Sequence, residues 1–290
     1  MSFNKIKFLK DYFKYLDNPI ECLLFKFNLK REVIVKPKNS NLKIKLTKIS
    51  SLNYLMTFIK NVDLTDEFRE YMLNIDSDEE IINTLYDIKI FNPKFHQLNS
   101  IFIEYYTDYY SKFNIDYKNK IIIDIGSNSG DSPLFFASKG AKVYGFEPMK
   151  EHYNMSLENL KLNPNLSVNI ELYNYAVSYK NGKLNINSMN SVANYIQDSY
   201  YEVDIISLND IIERIEPNFL KMDCEGCEFE IIEHCDLSKF NEIIFEHHAK
   251  MVGKKYDLLT TKLKKEGFKI KTFKVFDKDF NDIGLIYCYK

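Results

Sequence analysis

The chain has 290 residues, 45% of them hydrophobic and 15% aromatic, which is enough apolar mass for one large core or a core with a smaller lobe and excludes a disordered chain. No run approaches the roughly 18 apolar residues of a membrane span, and charges interrupt MSFNKIKFLKDYF where a signal peptide carries a clean apolar block, so the reading is soluble and cytoplasmic. The net charge of -2 hides an asymmetry: residues 1–50 hold 12 Lys or Arg against 4 Asp or Glu (+8), and the rest 27 against 37 (-10), so the front could contact a membrane surface or a phosphate-bearing substrate, although a solvated lysine surface is the commoner meaning.

Phe3, Ile6, Leu9, Phe13 and Leu16 recur at helical spacing between lysines and predict an amphipathic helix. EVIVKPKNSNLKIKL alternates apolar and polar residues on both sides of a Pro/Asn/Ser turn, the pattern of a hairpin. From Ser50 to Tyr117 the apolar spacing is helical, with stops at NVDLTDE, IDSDEE and FNPKF. These elements form a small N-terminal α+β lobe over residues 1–115, on the acceptor side or at an interface, ahead of a catalytic domain over 116–290.

The texture changes near Ile121. KIIIDIG is apolar at consecutive positions, as a strand buried on both faces of a parallel sheet requires. Ser132 reads as an N-cap, Pro133 as the first helical residue and Gly140 as the stop of a short helix. Strand KVYGFE and a helix with Met149, Tyr153, Leu157 and Leu160 on one face come next. Strand VNIELY, a small hairpin around Asn181 and Gly182, strand NFLKMD, helix CEFEIIEHC and strand NEIIFE follow. The last stretch, FKIKTFKVFDKDFNDIGLIYCYK, holds two strand-like runs and no helix. Together they predict an α/β doubly wound, seven-stranded, mostly parallel sheet closed by a C-terminal antiparallel hairpin, unlike the all-parallel dinucleotide-binding domain.

The turn after the first strand of such a sheet is the expected ligand site. It reads D-x-G-x-N-x-G-D, through Asp124, Gly126, Asn128, Gly130 and Asp131. Glycines admit a ligand close to the backbone, and the next helix offers free N–H groups to an anion such as a carboxylate. The pyrophosphate spacing G-x-G-x-x-G is missing, and Asp124 and Asp131 would repel a pyrophosphate. Two carboxylates suit a ligand with an ammonium and a sulfonium, which is the amino-acid half of S-adenosylmethionine. Glu147, ending the second strand, is placed to accept hydrogen bonds from both ribose hydroxyls; NAD shares that requirement, so Glu147 alone decides little.

The motifs DIGSNSGD, GFEP, LENLKLN, YNYAVS, ISLNDII, LKMDCEGCEFEII and IFEHH occur in the order and approximate spacing of the FkbM-type S-adenosylmethionine-dependent methyltransferases. The resemblance runs from about Ile121 to His248, and its most particular part is D-x-E-G-x-E from Asp223 to Glu228. It implies a class I methyltransferase (Rossmann-like) fold and, usually, methylation of a hydroxyl on a sugar or small natural product. Pro148 in GFEP, Asn174 and Ala176 in YNYAVS, and Asp223 join the cofactor contacts on this reading. Departures are Ser127 where Ala is usual, Asn209 where Asp is common, and Cys224 and Cys227 where small aliphatic residues stand.

Asp223 ends the fourth strand, and Glu225 and Gly226 turn into the next helix. Methyl transfer is an in-line displacement that gains most from alignment, and an alcohol acceptor must also lose its proton to a base or a metal. Asp223 and Glu225 could orient the hydroxyl, with Glu246 and His248 completing the cleft; as the base, His248 and Asp223 rank close together. The competing reading has Glu246, His247 and His248 merely capping a strand in solvent. No metal is assigned, although Mg or Ca at these groups is an alternative. Cys224-x-x-Cys227 has zinc-knuckle spacing, but His234 and Cys235 lie two turns away, so free thiols are preferred. With Cys22 and Cys288 the five cysteines fit a reducing compartment. Lys221 shares a strand face with Asp223 and is expected to pair with it. Tyr105, Tyr106, Tyr109 and Tyr110 could stack a sugar, although helix packing is the commoner use of such aromatics.

The favoured function is therefore S-adenosylmethionine-dependent O-methylation of a sugar, glycolipid or small natural product. A nucleic-acid methyltransferase is disfavoured by the acidic catalytic half and the absence of an N-P-P-Y-like tetrapeptide after the fourth strand. A non-catalytic binding module and a dehydrogenase are the remaining alternatives, and acceptor choice is assigned to the N-terminal lobe and the loop from Ser188 to Tyr201.

Overall fold

The computed structural model describes residues 3–59, 69, 72, 81–84, 86–91, 112–187, 200–274 and 279–290. The chain divides into two units, Met1–Tyr109 and Tyr110–Lys290. The four tyrosines from Tyr105 to Tyr110 and most of the loop from Ser188 lie outside the described residues.

In the first unit, helices α1 (Phe3–Tyr15) and α2 (Pro19–Lys26) precede the antiparallel pair β1 (Val33–Val35) and β2 (Ile44–Leu46). Pro19 stands in the first turn of α2, where its missing N–H costs nothing. Val33, Val35, Ile44 and Leu46 are buried while the intervening residues are exposed, so the predicted hairpin alternates as its sequence does. Helix α3 (Ile49–Phe58) follows. The helical reading continued past it is incorrect at β3 (Ile81–Asn83) and β4 (Lys89–Phe91), which pair antiparallel with Ile82 opposite Ile90. Asp87, at φ 55, turns the chain there, and Thr84 N–H donates to the Ile88 carbonyl (2.8 Å). Ile81–Ile82 and Ile90–Phe91 are adjacent apolar pairs, and one such pair in a three-residue run fits either period.

The second unit opens with β5 (Ile121–Ile125), α4 (Asp131–Ser138), β6 (Lys142–Phe146), α5 (Lys150–Leu162), the turn α6 (Pro164–Ser167) and β7 (Ile170–Tyr173). It continues through β8 (Ala176–Ser178), β9 (Gly182–Asn187), β10 (Tyr200–Ser207), α7 (Leu208–Ile215), β11 (Phe219–Met222) and α8 (Cys227–His234). Strand β12 (Glu242–His247), helix α9 (Asp257–Lys265) and strands β13 (Lys269–Phe273) and β14 (Gly284–Tyr289) complete it. The main sheet has seven strands in the order β13-β14-β12-β11-β5-β6-β7. The five from β12 to β7 run parallel and β14 lies antiparallel to both neighbours, which is the predicted architecture. Its core comes from the consecutive apolar runs, including Ile123, Ile125, Leu220, Met222, Ile243, Phe245 and Ile286, all buried.

Two local expectations are corrected and one is refined. The strands flanking Asn181 and Gly182 do not form a hairpin with each other; β8 pairs parallel and β9 antiparallel with β10, in a three-stranded sheet of order β8-β10-β9. Helix α4 starts at Asp131 with left-handed Gly130 (φ 83) as its cap, and the Ser132 hydroxyl instead donates to Asp124 Oδ2 (2.6 Å). On α5 the deeply buried positions are Ser156 and Asn159, while Tyr153, Leu157 and Leu160 are only half-buried. From β5 the chain builds outward to β7 and then returns to place β11 on the other side of β5, so the strand order reverses between them. The crevice beyond the carboxyl ends of β5 and β11 is where such a sheet takes a ligand.

Candidate functional site

Gly126, directly after β5, has φ +79, and a Cβ there would lie 1.9 Å from the carbonyl oxygen of Asp223. Any side chain would push the end of β11 away, so the glycine is required by contact between two strand ends as well as by its left-handed backbone. Gly130 is set by a second close approach: its added Cβ would meet Ser156 Cβ at 2.9 Å. Beside it Asn159 Nδ2 donates to the Ser129 carbonyl (2.8 Å), so the two buried polar residues of α5 clamp the turn. Asn128 is also left-handed (φ 45), a conformation its short polar side chain tolerates. Asp131 is buried and its Oδ1 accepts from the Ser129 hydroxyl (3.1 Å).

Glu147, past β6, accepts backbone N–H groups from Asn128 (3.0 Å) and Met149 (2.8 Å). Burial pushes its carboxyl up to about 7 against the pull of those donors. Asn174 Nδ2 donates to the carbonyls of Glu147 (2.8 Å) and Pro148 (2.9 Å), so this amide positions the acid from behind. Ala176 opens β8 opposite Ile205 and is half-buried. Within the turn, Ser127 Oγ and Asn128 Oδ1 are buried with no hydrogen-bond partner among the described residues. A buried orphaned acceptor beside a glycine cradle fits the ammonium end of S-adenosylmethionine, and Glu147 retains lone pairs for a ribose.

Asp124, expected among the cofactor contacts, is already paired with a cation of the protein itself. It is fully buried, its Oδ1 lies 2.8 Å from Lys221 Nζ, and Lys221 also donates to the Gly126 carbonyl (2.9 Å). The parallel register sets Lys221 directly opposite Asp124, which also corrects the expected Lys221–Asp223 pair. The ion pair lies beneath the turn and holds it from below.

Asp223, Glu225, Glu246 and His248 do come together, around one imidazole. His248 Nε2 is 3.4 Å from Glu246 Oε1, 3.7 Å from Glu225 Oε2 and 3.9 Å from Asp223 Oδ1. Its Nδ1 faces a fourth carboxylate, Glu228 Oε1, at 3.5 Å. Glu228 is fully buried and accepts the backbone N–H of His248 (2.7 Å) and of Gly226 (2.9 Å). Burial works hardest against the charged ring, but hydrogen bonds to Glu228 and Glu246 and the neighbouring charges outweigh it and raise His248 to about 11. Burial and the Glu246 charge raise Asp223 to about 7 despite Lys221 and His248 nearby. The two shifts favour opposite forms: the surrounding carboxylates hold His248 toward its charged form, and burial beside Glu246 holds Asp223 toward its neutral one.

The solvent-facing reading of these residues fails. His247 is fully buried, stacked on Tyr256 (5.3 Å between centroids) and edge-on to Phe280 (5.1 Å), and His248 is only 8% exposed. The free-thiol reading of the cysteine pair fails too: Cys224 and Cys227 form a disulfide across the Glu225–Gly226 turn, both of whose residues are left-handed (φ 56 and 112). Cys22, Cys235 and Cys288 remain free and buried. Asp223, Glu246 and His248 offer one donor atom each within 4.8 Å of the others, a spacing that could hold a divalent ion. Cys224, Cys227 and Glu228 have like spacing, but closed as a disulfide the sulfurs are not thiolate ligands. Glu228, Asn159 and Ser156 were not found as site residues from the sequence; the signal for Glu228 lay in D-x-E-G-x-E, whose last carboxylate had no role assigned.

A reversed strand order with a glycine turn after β5, an acid after β6 and an antiparallel final pair defines the class I methyltransferase fold. Residues 124–270 match the Methyltransferase FkbM domain, and the chain belongs to that family. Among solved structures it is similar to the methyltransferase FkbM of Methylobacillus flagellatus KT, at 16% identity and a TM-score of 0.44 over 94% of this chain and 60% of that one. The precorrin-6y C5,15-methyltransferase of Geobacter metallireducens GS-15 aligns at 12% identity and a TM-score of 0.37, over 62% of this chain and 84% of the other. TrmK of M. capricolum, in complex with S-adenosyl-homocysteine, aligns at 17% identity and a TM-score of 0.36, over 60% and 64%. No curated protein matches the chain. Among the described residues no helix is long and apolar enough to cross a membrane.

Proposed function

We propose that the chain transfers a methyl group from S-adenosylmethionine to a hydroxyl of a small-molecule or carbohydrate acceptor such as a sugar, glycolipid or natural product. The observation that supports this best is the double position of Asp223: its carbonyl lies against the Gly126 turn, while its carboxyl enters the His248 cluster at a proton affinity near neutrality. The residues of the turn, Gly126 to Asp131, with Asn128 Oδ1, Glu147, Pro148, Asn174 and Ala176, would hold the cofactor, which when bound supplies a methyl group on a sulfonium. Asp223 accepts the acceptor's hydroxyl proton; a base with a pKa near the working pH combines availability with driving force. His248, held protonated and anchored by Glu228, positions Asp223, Glu225 and Glu246 and offsets part of their mutual repulsion. Four carboxylates around one imidazolium leave negative charge in excess, which attracts a cationic methyl donor and disfavours a polyanionic acceptor such as RNA.

The test is methyl incorporation from labelled S-adenosylmethionine into glycosides, glycolipids, polyketide alcohols, amines and RNA. Hydroxyl methylation, with Asp223→Asn keeping S-adenosylhomocysteine binding but losing about 100-fold or more in kcat, is the expected result. Methylation confined to amines or RNA, or an undiminished Asp223→Asn enzyme, overturns it. Loss of activity on chelation, restored by Mg, would make Asp223, Glu246 and His248 an ion's ligands instead.

A further inference from the structure

Helix α2 is apolar on the side that faces away from its own core. Cys22 and Phe25 are buried beneath it, whereas Ile20 and Phe27 are 63% and 61% exposed, with Leu23 and Leu24 half-buried between them. At about 100° per residue, Ile20, Leu23, Leu24 and Phe27 form one stripe opposite Cys22 and Phe25. The stripe continues past the helix to Leu29, which is 70% exposed. Asn18 joins it to the neighbouring strand, donating to the Ile34 carbonyl (2.7 Å) and accepting the Lys36 N–H (3.0 Å), and Ile34 also points its side chain to solvent. A surface helix normally turns polar residues outward, so a double-faced apolar helix marks a surface that something covers.

The charge around it says what. Exposed Lys30, Arg31 and Lys36 border the stripe and outnumber exposed Glu21 and Glu32, of which Glu32 is paired with Lys45 (2.7 Å), and residues 1–50 carry +8 against -10 for the rest of the chain. A second copy would bring two +8 segments together. Nucleic acid would pair the charge but leave Ile20, Leu24 and Leu29 without partners, because bases are held by stacking on aromatic rings. A mainly aliphatic stripe inside a net basic border matches an anionic bilayer, whose acyl boundary takes the apolar groups and whose headgroups take the cations. We propose that the α2 stripe from Ile20 to Leu29, with Ile34 beside it, docks the protein peripherally on an anionic lipid surface. With eight residues α2 can lie in the interface only, far short of a span.

Sedimentation of the full chain with phosphatidylcholine vesicles, with and without phosphatidylserine, tests the idea. The expected result is binding to the phosphatidylserine vesicles, weakened by salt, and a partition lower by about tenfold or more in Ile20→Ser/Phe27→Ser, which removes two large apolar side chains from the contact. Unchanged circular dichroism establishes that the variant folds; should it not, Lys30→Glu/Arg31→Glu probes the border instead and is expected to lose binding likewise. No binding to phosphatidylserine vesicles overturns the proposal, as does full binding by both variants. Retention on RNA without vesicle binding, or a dimer abolished by the apolar variant without vesicle binding, would assign the face to those partners.

Discussion

Replacing Glu228 by Gln tests whether the His248 cluster is organised from below. The carboxylate is fully buried, accepts two backbone N–H groups and faces His248 Nδ1 at 3.5 Å. A glutamine oxygen can keep one of those N–H groups, but its NH2 then confronts the other donor, and an unsatisfied buried donor costs about 1–3 kcal/mol. The imidazolium also loses a buried counter-charge, and breaking such a pair brings the total to about 3–5 kcal/mol. For a unit of this size that is a fall in Tm of about 10 °C. The surrounding carboxylates raise His248 from an ordinary 6.5 to about 11, so its charge should contribute stability that is complete below 6.5 and lost as pH rises through 11. The gap between wild type and Glu228→Gln therefore narrows at high pH. Calorimetry gives the first quantity and the imidazole NMR titration the second, which should shift downward in the variant. A loss under about 1 kcal/mol with an unmoved titration would refute the reasoning.

Three further outcomes are expected. Gly126→Ala forces a left-handed alanine and a 1.9 Å contact with the Asp223 carbonyl, so denaturant unfolding should show a loss of about 2–4 kcal/mol, together with weakened S-adenosylhomocysteine binding by calorimetry. Lys221→Met leaves Asp124 buried without its counter-charge, the Ser132 hydroxyl still donating to it, and should cost about 3–5 kcal/mol, much of it recovered in Asp124→Asn/Lys221→Met. The rate of methyl transfer should fall as pH drops below about 7, where the Asp223 carboxyl takes up its proton, and that limb should vanish from the residual activity of Asp223→Asn.

The sheet was legible because its strands are consecutive apolar runs, and an all-parallel interior permits little else at those positions. The glycine turn was legible for the same local reason, with Glu147 in order behind it. What lay hidden depends on register between distant elements. Asp124 reads as a ligand for a cation until β11 puts Lys221 directly opposite it. Glu228 reads as an ordinary acid in the first turn of a helix, where the dipole welcomes it, until His248 closes over it. Ser156 and Asn159 break the apolar stripe of α5 for no reason visible along the chain, and the reason is the turn at Gly130. Short strands were hardest: β3 and β4, at three residues each, are too brief for a period to show.

Contact between Gly126 and the Asp223 carbonyl bears on how this enzyme type diversifies. The turn after β5 and the end of β11 meet main chain to main chain, so lengthening or re-angling either one displaces the other. On the proposed function, exchanging side chains such as Glu225 and Glu246 is a route to a new acceptor that leaves this contact in place. A library randomising those two positions samples that route, whereas insertions at either strand end should yield proteins that have lost the donor along with the old acceptor.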